Sequence, residues 1–175
     1  TDTQWVVLRE IHANLALLLT ASFTRKFDQV VEVDINDVQK TAYADFITGL
    51  SNPSFSYQFL LKPTHGGVIL NFSNSIASVA SDLSAVTDKA NDRAKTEIAA
   101  HLADTMNPVE IDKANDLAKG CFNGIEAVWR PVVPVEIESV ELEPTPMFMN
   151  LTSAAESVAQ VSFDVNMSDT SGLIS

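Results

Sequence analysis

Ser54-Phe55-Ser56-Tyr57-Gln58-Phe59-Leu60-Leu61-Lys62-Pro63-Thr64-His65-Gly66-Gly67-Val68-Ile69-Leu70-Asn71-Phe72 is the stretch from which the rest of the chain can be read. Phe55, Tyr57, Phe59 and Leu61 fall on one face, and Ser54, Ser56, Gln58 and Leu60 on the other. This period of two predicts a strand over 54–62. Pro63 to Gly67 predicts a hairpin turn in which glycine supplies positive φ, and Val68 to Phe72 is the returning strand. The same cadence recurs near the end. Phe163-Asp164-Val165-Asn166, then Ser171-Gly172-Leu173-Ile174, matches Phe59 to Lys62 followed by Gly66 to Ile69. Val161 to Met167 predicts a strand, Ser168 to Gly172 a turn, and Leu173-Ile174 the start of the partner strand.

Each hairpin is preceded by a long helix and a lone strand. Trp5, Leu8, Ile11, Leu15, Leu18, Leu19 and Phe23 recur at steps of three and four, which predicts a helix over 1–25 with these residues inward. Val31, Val33 and Ile35 alternate with acidic neighbours as a strand, and 37–50 returns to helical spacing. In the second half, Asn107-Pro108 opens a helix that runs to about Trp129, with Ala114, Leu117, Ala118, Cys121, Ile125 and Val128 inward. Gly120 and Gly124 imply close packing of this helix on a sheet. Val135 to Glu143 alternates with a slip at Ser139 that predicts a β-bulge; Pro144 to Asn150 is irregular. Ser73 or Asn74 caps a short helix, 84–95 is a loop or a weak helix entry, and 96–106 is helical.

The chain is therefore an internal repeat, about 2–72 and 108–175, joined by a helical segment over 73–107. Neither half can bury its sheet alone. One α/β domain over 1–175 solves this, with a mainly antiparallel sheet, pseudo-two-fold symmetry and long helices flanking it in α/β/α layers.

Composition narrows the function. The 175 residues are 46% hydrophobic, as in a globular domain. Eleven Lys and Arg against 23 Asp and Glu give a net charge of −12, which disfavours nucleic acid and anionic membrane surfaces as partners. No continuous apolar run reaches the roughly 20 residues that span a bilayer. A start at Thr1 without a basic leader and an end within a strand suggest a piece of a longer protein.

Chemistry is sparse. His12, His65 and His101 lack metal-ligand spacing, so no metal or cofactor is expected. Cys121, the single cysteine, sits on an inward helix face and implies packing rather than reactivity. Gly66-Gly67 implies a hairpin rather than an anion nest. Glu136, Glu138, Glu141 and Glu143 imply the wet face of a strand. No phosphate loop, dinucleotide fingerprint or nucleophile elbow occurs, and no catalytic residue is assigned.

Several segments together resemble one family. Glu126 to Glu136 (Glu-Ala-Val-Trp-Arg-Pro-Val-Val-Pro-Val-Glu) is similar to the end of the second long helix and following strand in the flagellar motor switch protein FliM family. Glu143-Pro144-Thr145-Pro146-Met147-Phe148 resembles that family's Glu-x-Asn-Pro-Gln-Phe stretch. Leu50 to Pro53, Leu60 to Pro63, Gly67 to Leu70 and Phe163 to Ile174 resemble it in the same order. The resemblance implies a CheC-like middle domain in the cytoplasmic switch ring of the flagellar basal body, beneath the inner membrane. Its implied partners are the FliG middle domain and neighbouring FliM subunits, with FliN and phosphorylated CheY engaged through regions absent here. The family's Gly-Gly-x-Gly loop at the FliG contact corresponds to Asp82, Leu83, Ser84, Ala85, Val86, Thr87 and Asp88, which contain no glycine. That segment is the expected partner site.

The same fold includes CheC-type phosphatases, whose helices carry Asp or Ser, then Glu four residues later and Asn three further. Here Glu10 is accompanied by Val6 and Ala13, with Asn14 one residue late. Asp112 and Asn115 have the spacing, but Asp replaces Glu and Pro108 occupies the first position. The expectation is a non-enzymatic docking domain. A phosphatase and an unrelated acidic binding module are the competing readings.

Overall fold

A computed structural model describes residues 2–82, 106–167 and 170–175. The elements are α1 (Asp2–Phe27), β1 (Val31–Ala42), α2 (Tyr43–Gly49), β2 (Phe55–Lys62), β3 (Gly66–Phe72), α3 (Asn74–Asp82), α4 (Pro108–Trp129), β4 (Glu136–Glu143), a 3-10 turn (Pro146–Phe148), β5 (Ser157–Met167) and β6 (Thr170–Ile174). The strands form one antiparallel sheet of six in the order β1-β5-β6-β3-β2-β4. Exchanging β1 with β4, β2 with β5 and β3 with β6 only reverses that order, so the two halves occupy equivalent places.

The main core lies between one sheet face and the helices. Leu15, Leu19 and Phe23 of α1 and Leu117 and Cys121 of α4 pack with Phe55, Tyr57, Phe59, Phe72, Val165 and Ile174. A smaller cluster of Tyr43, Ile47 and Met149 covers part of the opposite face. The two long helices pack against each other as well as on the sheet. A Cβ at Gly124 would stand 2.7 Å from Leu15 Cδ1. The close approach that its glycines allow is therefore to α1, a correction to the expected helix-to-sheet contact.

Each half guards its outer edge strand in a similar way. From α1, Thr20 Oγ1 accepts the Val33 N–H at 2.9 Å, and Thr24 Oγ1 accepts that of Val31 at 3.1 Å. From α4, Glu126 Oε1 accepts the Ile137 N–H at 2.9 Å. The edge N–H groups of Val31, Val33 and Ile137 are thereby unavailable to template another strand.

Four local expectations need correction. Residues 37–42 continue β1 rather than starting a helix, and α2 is confined to Tyr43–Gly49. A bulge between Ile35 and Asp37 resets the alternation so that Val38 faces Val161. The resulting three-residue step from Ile35 to Val38 imitates helical spacing. In the β2–β3 hairpin the positive φ belongs to His65, at 52°, and no glycine has one. The second hairpin is tighter than expected, because Thr170 already pairs with Met167. Leu18, expected inward, is exposed. The bulge at Ser139 is present: its φ is 56°, and the β2–β4 register shifts there. The expected loop at 84–95 and helix at 96–106 lie outside the described residues, except that Met106 is buried.

By length and composition α1 is apolar enough to cross a membrane. Arg9 and Glu10 interrupt its apolar residues, and its inner face forms part of the core.

Candidate functional site

The expected partner segment begins at Asp82, the last residue of α3; residues 83–88 lie outside the described residues. The described residues on either side of 83–105 are those of α3 and the start of α4. Ser73 opens α3, its carbonyl accepting the N–H groups of Ile76 at 3.1 Å and Ala77 at 3.3 Å. Its hydroxyl accepts the Leu173 N–H at 3.1 Å, while Ser75 Oγ donates to the Ser171 carbonyl at 3.1 Å. Ile76 and Ala77 are buried, and Gly172 gives α3 room to lie on β6, since a Cβ there would strike Ile76, Ser73 and Ser75. On the return side Met106 is buried, and Asn107 caps α4 by accepting the Val109 N–H at 2.9 Å. Ser78 Oγ donates to Glu110 at 3.2 Å and ties α3 to α4. Val109 is exposed beside them.

The phosphatase-like residues stand in different surroundings. Asn115 Oδ1 accepts the Tyr57 hydroxyl at 2.8 Å, so its carboxamide is anchored to the sheet beneath α4. Burial pushes the Tyr57 phenol well above its ordinary range, so it stays a donor. Glu10 and Asn14 lie exposed on α1, with Val6 and Ala13 at the positions that spacing assigns to an acid and an amide.

The remaining chemistry-bearing residues are accounted for. His12 Nδ1 donates to the Leu8 carbonyl at 2.8 Å, and the ring sits between Trp129 and Phe163. Burial lowers its pKa, and the Leu8 hydrogen bond opposes that shift. Cys121 is fully buried, and desolvation pushes its thiol up to about 12. Glu138 meets Lys62 Nζ at 2.9 Å and His65 Nδ1 at 3.1 Å, while Glu141 accepts from Gln58 at 3.2 Å. Lys62 holds the Glu138 carboxyl below its usual range. The acidic strand thus makes cross-strand pairs. Among the described residues no group of three His, Cys, Asp or Glu could hold a metal.

The sequence reading missed a set of exposed apolar side chains. Val6, Val7, Leu17 and Leu18 lie outward on α1, and Met147 and Phe148, 72% and 74% exposed, project from the 3-10 turn. The available signal was that α1 is apolar on nearly every side, more than one core contact requires.

The architecture is thus a CheC-like α/β domain of the kind found in FliM and FliY middle domains. The family model for the flagellar motor switch protein FliM matches residues 2–175, and the chain belongs to that family. It is 23% identical to the flagellar motor switch protein FliM of Bacillus subtilis (strain 168) over 167 residues, covering 95% of this chain and 48% of the relative. The chain therefore spans about half the length of that curated relative. In solved structures it resembles a chain of the FliM–SpeE complex from H. pylori (TM-score 0.84, 19% identity, 99% of this chain and 86% of that one). A chain of the FliG–FliM complex from H. pylori is similar too (TM-score 0.82, 20% identity, 99% and 91%).

Proposed function

We propose that this chain is a structural docking domain of the flagellar motor switch, relaying chemotaxis signals into a change of rotation direction through its contacts and not through bond chemistry. The site for a FliG-type middle domain is the segment Asp82 to Asp88, and neighbouring copies pack at the domain's sides. FliN and phosphorylated CheY are engaged through parts of the longer protein. The complex stands at the cytoplasmic face of the inner membrane, in the ring at the flagellar base.

The observation that carries this reading is membership of the FliM family along residues 2–175. The solved FliG–FliM complex of similar fold supports the choice of partner. Asp82 is the last residue of α3, so the segment starts at a helix end, and contact segments commonly leave rigid elements at such places. The Tyr57–Asn115 hydrogen bond supports a non-enzymatic role.

The test is Ser84→Glu and Ser84→Trp, titrated against a FliG middle region from the same organism. Both substitutions should weaken binding at least about tenfold, corresponding to about 1.4 kcal/mol, with the far-UV spectrum and unfolding midpoint unchanged. Unaltered affinity would remove 82–88 as the contact.

A further inference from the structure

The guard on the edge of β4 ends early. Glu126 covers the Ile137 N–H, and past the bulge at Ser139 the strand runs on to Glu143 at the margin of the sheet. The Ser54 N–H donates to the Pro144 carbonyl at 2.9 Å, so Ser54 turns toward β4, and Ser56 and Gln58 turn the same way by alternation. They stand opposite Glu143 and Glu141. Leu142 and Val140 therefore direct their N–H and C=O groups outward. Among the described residues no hydrogen bond covers them.

The two faces of this open edge differ. Leu142 packs against the main core, so Val140, two residues away, lies on the same side, where it is 43% exposed. Glu141 and Glu143 point to the other side. Glu138 is matched by Lys62 and His65, but Glu136, Glu141 and Glu143 meet no cationic side chain among the described residues. The edge is a row of backbone donors and acceptors with an apolar strip toward the helices and unbalanced carboxylates away from them.

A second copy of the chain fits this edge poorly. Two β4 strands can pair antiparallel with Leu142 opposite Val140 or opposite another Leu142. Glu141 then falls opposite Glu141 or Glu143, and like charges directly opposite destabilise a sheet. The edge of β1 is no better an occupant, because Asp37 Oδ1 already accepts the Val38 N–H at 2.8 Å and Lys40 is its only basic residue.

We propose that residues 140–143 are a docking edge for an extended basic segment of a different protein, added antiparallel to β4. Its side chains alternate. Apolar residues opposite Val140 and Leu142 cover the strip on the helix side, and Lys or Arg opposite Glu141 and Glu143 balances the carboxylates. The apolar residues carry the N–H groups that bond to β4, and the amides of the basic residues face away. Backbone pairing holds the segment, and the charge pattern selects it.

The probe is a fluorescein-labelled peptide of alternating lysine and valine, titrated with the full-length protein and read by fluorescence anisotropy. It should bind saturably, at least about tenfold more tightly than an alternating glutamate–valine peptide. Binding should slow exchange of the Val140 and Leu142 amides at least about tenfold. N-methylation of the valine amides should abolish binding, whereas N-methylation of the lysine backbone amides should leave the affinity within about twofold. Glu141→Lys should weaken binding at least about tenfold; Glu32→Lys, the same change of charge at an exposed position of β1 on the opposite margin of the sheet, should weaken it less than about twofold. Absence of saturable binding would overturn the proposal. Affinity that survives valine N-methylation, or falls equally with Glu32→Lys, would reduce it to general attraction between a basic peptide and an acidic protein. Protection of Val140 and Leu142 that grows with protein concentration before peptide is added would assign the edge to a second copy instead. The peptide series on the unaltered protein decides the matter even if Glu141→Lys does not fold.

Discussion

The helix–helix seam makes opposite predictions for two glycines one turn apart. Gly120 and Gly124 both lie in α4, where replacing glycine by alanine in a helix gains about 1 kcal/mol. At Gly120 a new Cβ would meet Ser22 Oγ at 3.5 Å and Phe23 Cε1 at 3.7 Å, ordinary contact distances. Gly120→Ala should therefore stabilise the chain by about 0.5–1 kcal/mol. At Gly124 the Cβ would come within 2.7 Å of Leu15 Cδ1, and Leu15 is only 3% exposed, with Leu19 behind it. Overpacking of this kind costs about 1–3 kcal/mol, so Gly124→Ala should be destabilising by about 1 kcal/mol net. Urea unfolding followed by far-UV circular dichroism measures both, with an unchanged m-value as the control. Leu15→Ala removes the obstructing methyl, so in that background Gly124→Ala should become stabilising, with a coupling of about 1–3 kcal/mol. Equal stabilisation by both alanines, or zero coupling between 15 and 124, would refute the packing argument.

Two further perturbations follow from the same structure. Thr20→Val with Thr24→Val removes the hydroxyls bonded to Val33 and Val31; each should cost about 1–3 kcal/mol by orphaning buried backbone groups. A pair that leaves the unfolding midpoint unchanged would show that α1 does not guard the edge of β1. His12 has its pKa lowered by burial below the ordinary 6.5. The unfolded chain therefore binds the extra proton first, and the stability this imidazole confers is present above pH 6.5 and lost as pH falls from there toward its folded value. His12→Gln should flatten that part of the pH–stability curve, and an unaltered slope would assign the dependence to other groups.

Much of the architecture was legible because each half repeats the same order and its clearest strands alternate large apolar with polar side chains. Phe55, Tyr57 and Phe59 declare their strand by alternation, and the slip at Ser139 declares its bulge. Residues 37–42 were misread because the bulge at Asn36 spaces Ile35 and Val38 three apart, the step a helix would use. The positive φ at His65 carried no sequence signal beside two consecutive glycines. Hydroxyl guards such as Thr20 and Thr24 were invisible because threonine in a helix has many bland explanations, and only the fold places them against β1. The proposed partner site rests on family resemblance alone, since a contact loop carries no periodicity and no required residue chemistry. The anchoring of Asn115 by Tyr57 spans 58 residues of sequence and depends wholly on the packing of α4 on β2.

The most direct test of the account is calorimetric titration of the chain with a FliG middle region from the same organism, with turnover of phosphorylated CheY followed in parallel. The account predicts saturable binding of the FliG region and no acceleration of phosphoryl loss from CheY. Absence of FliG binding together with faster dephosphorylation of CheY would contradict it, and would direct attention to Glu10, Asn14, Asp112 and Asn115.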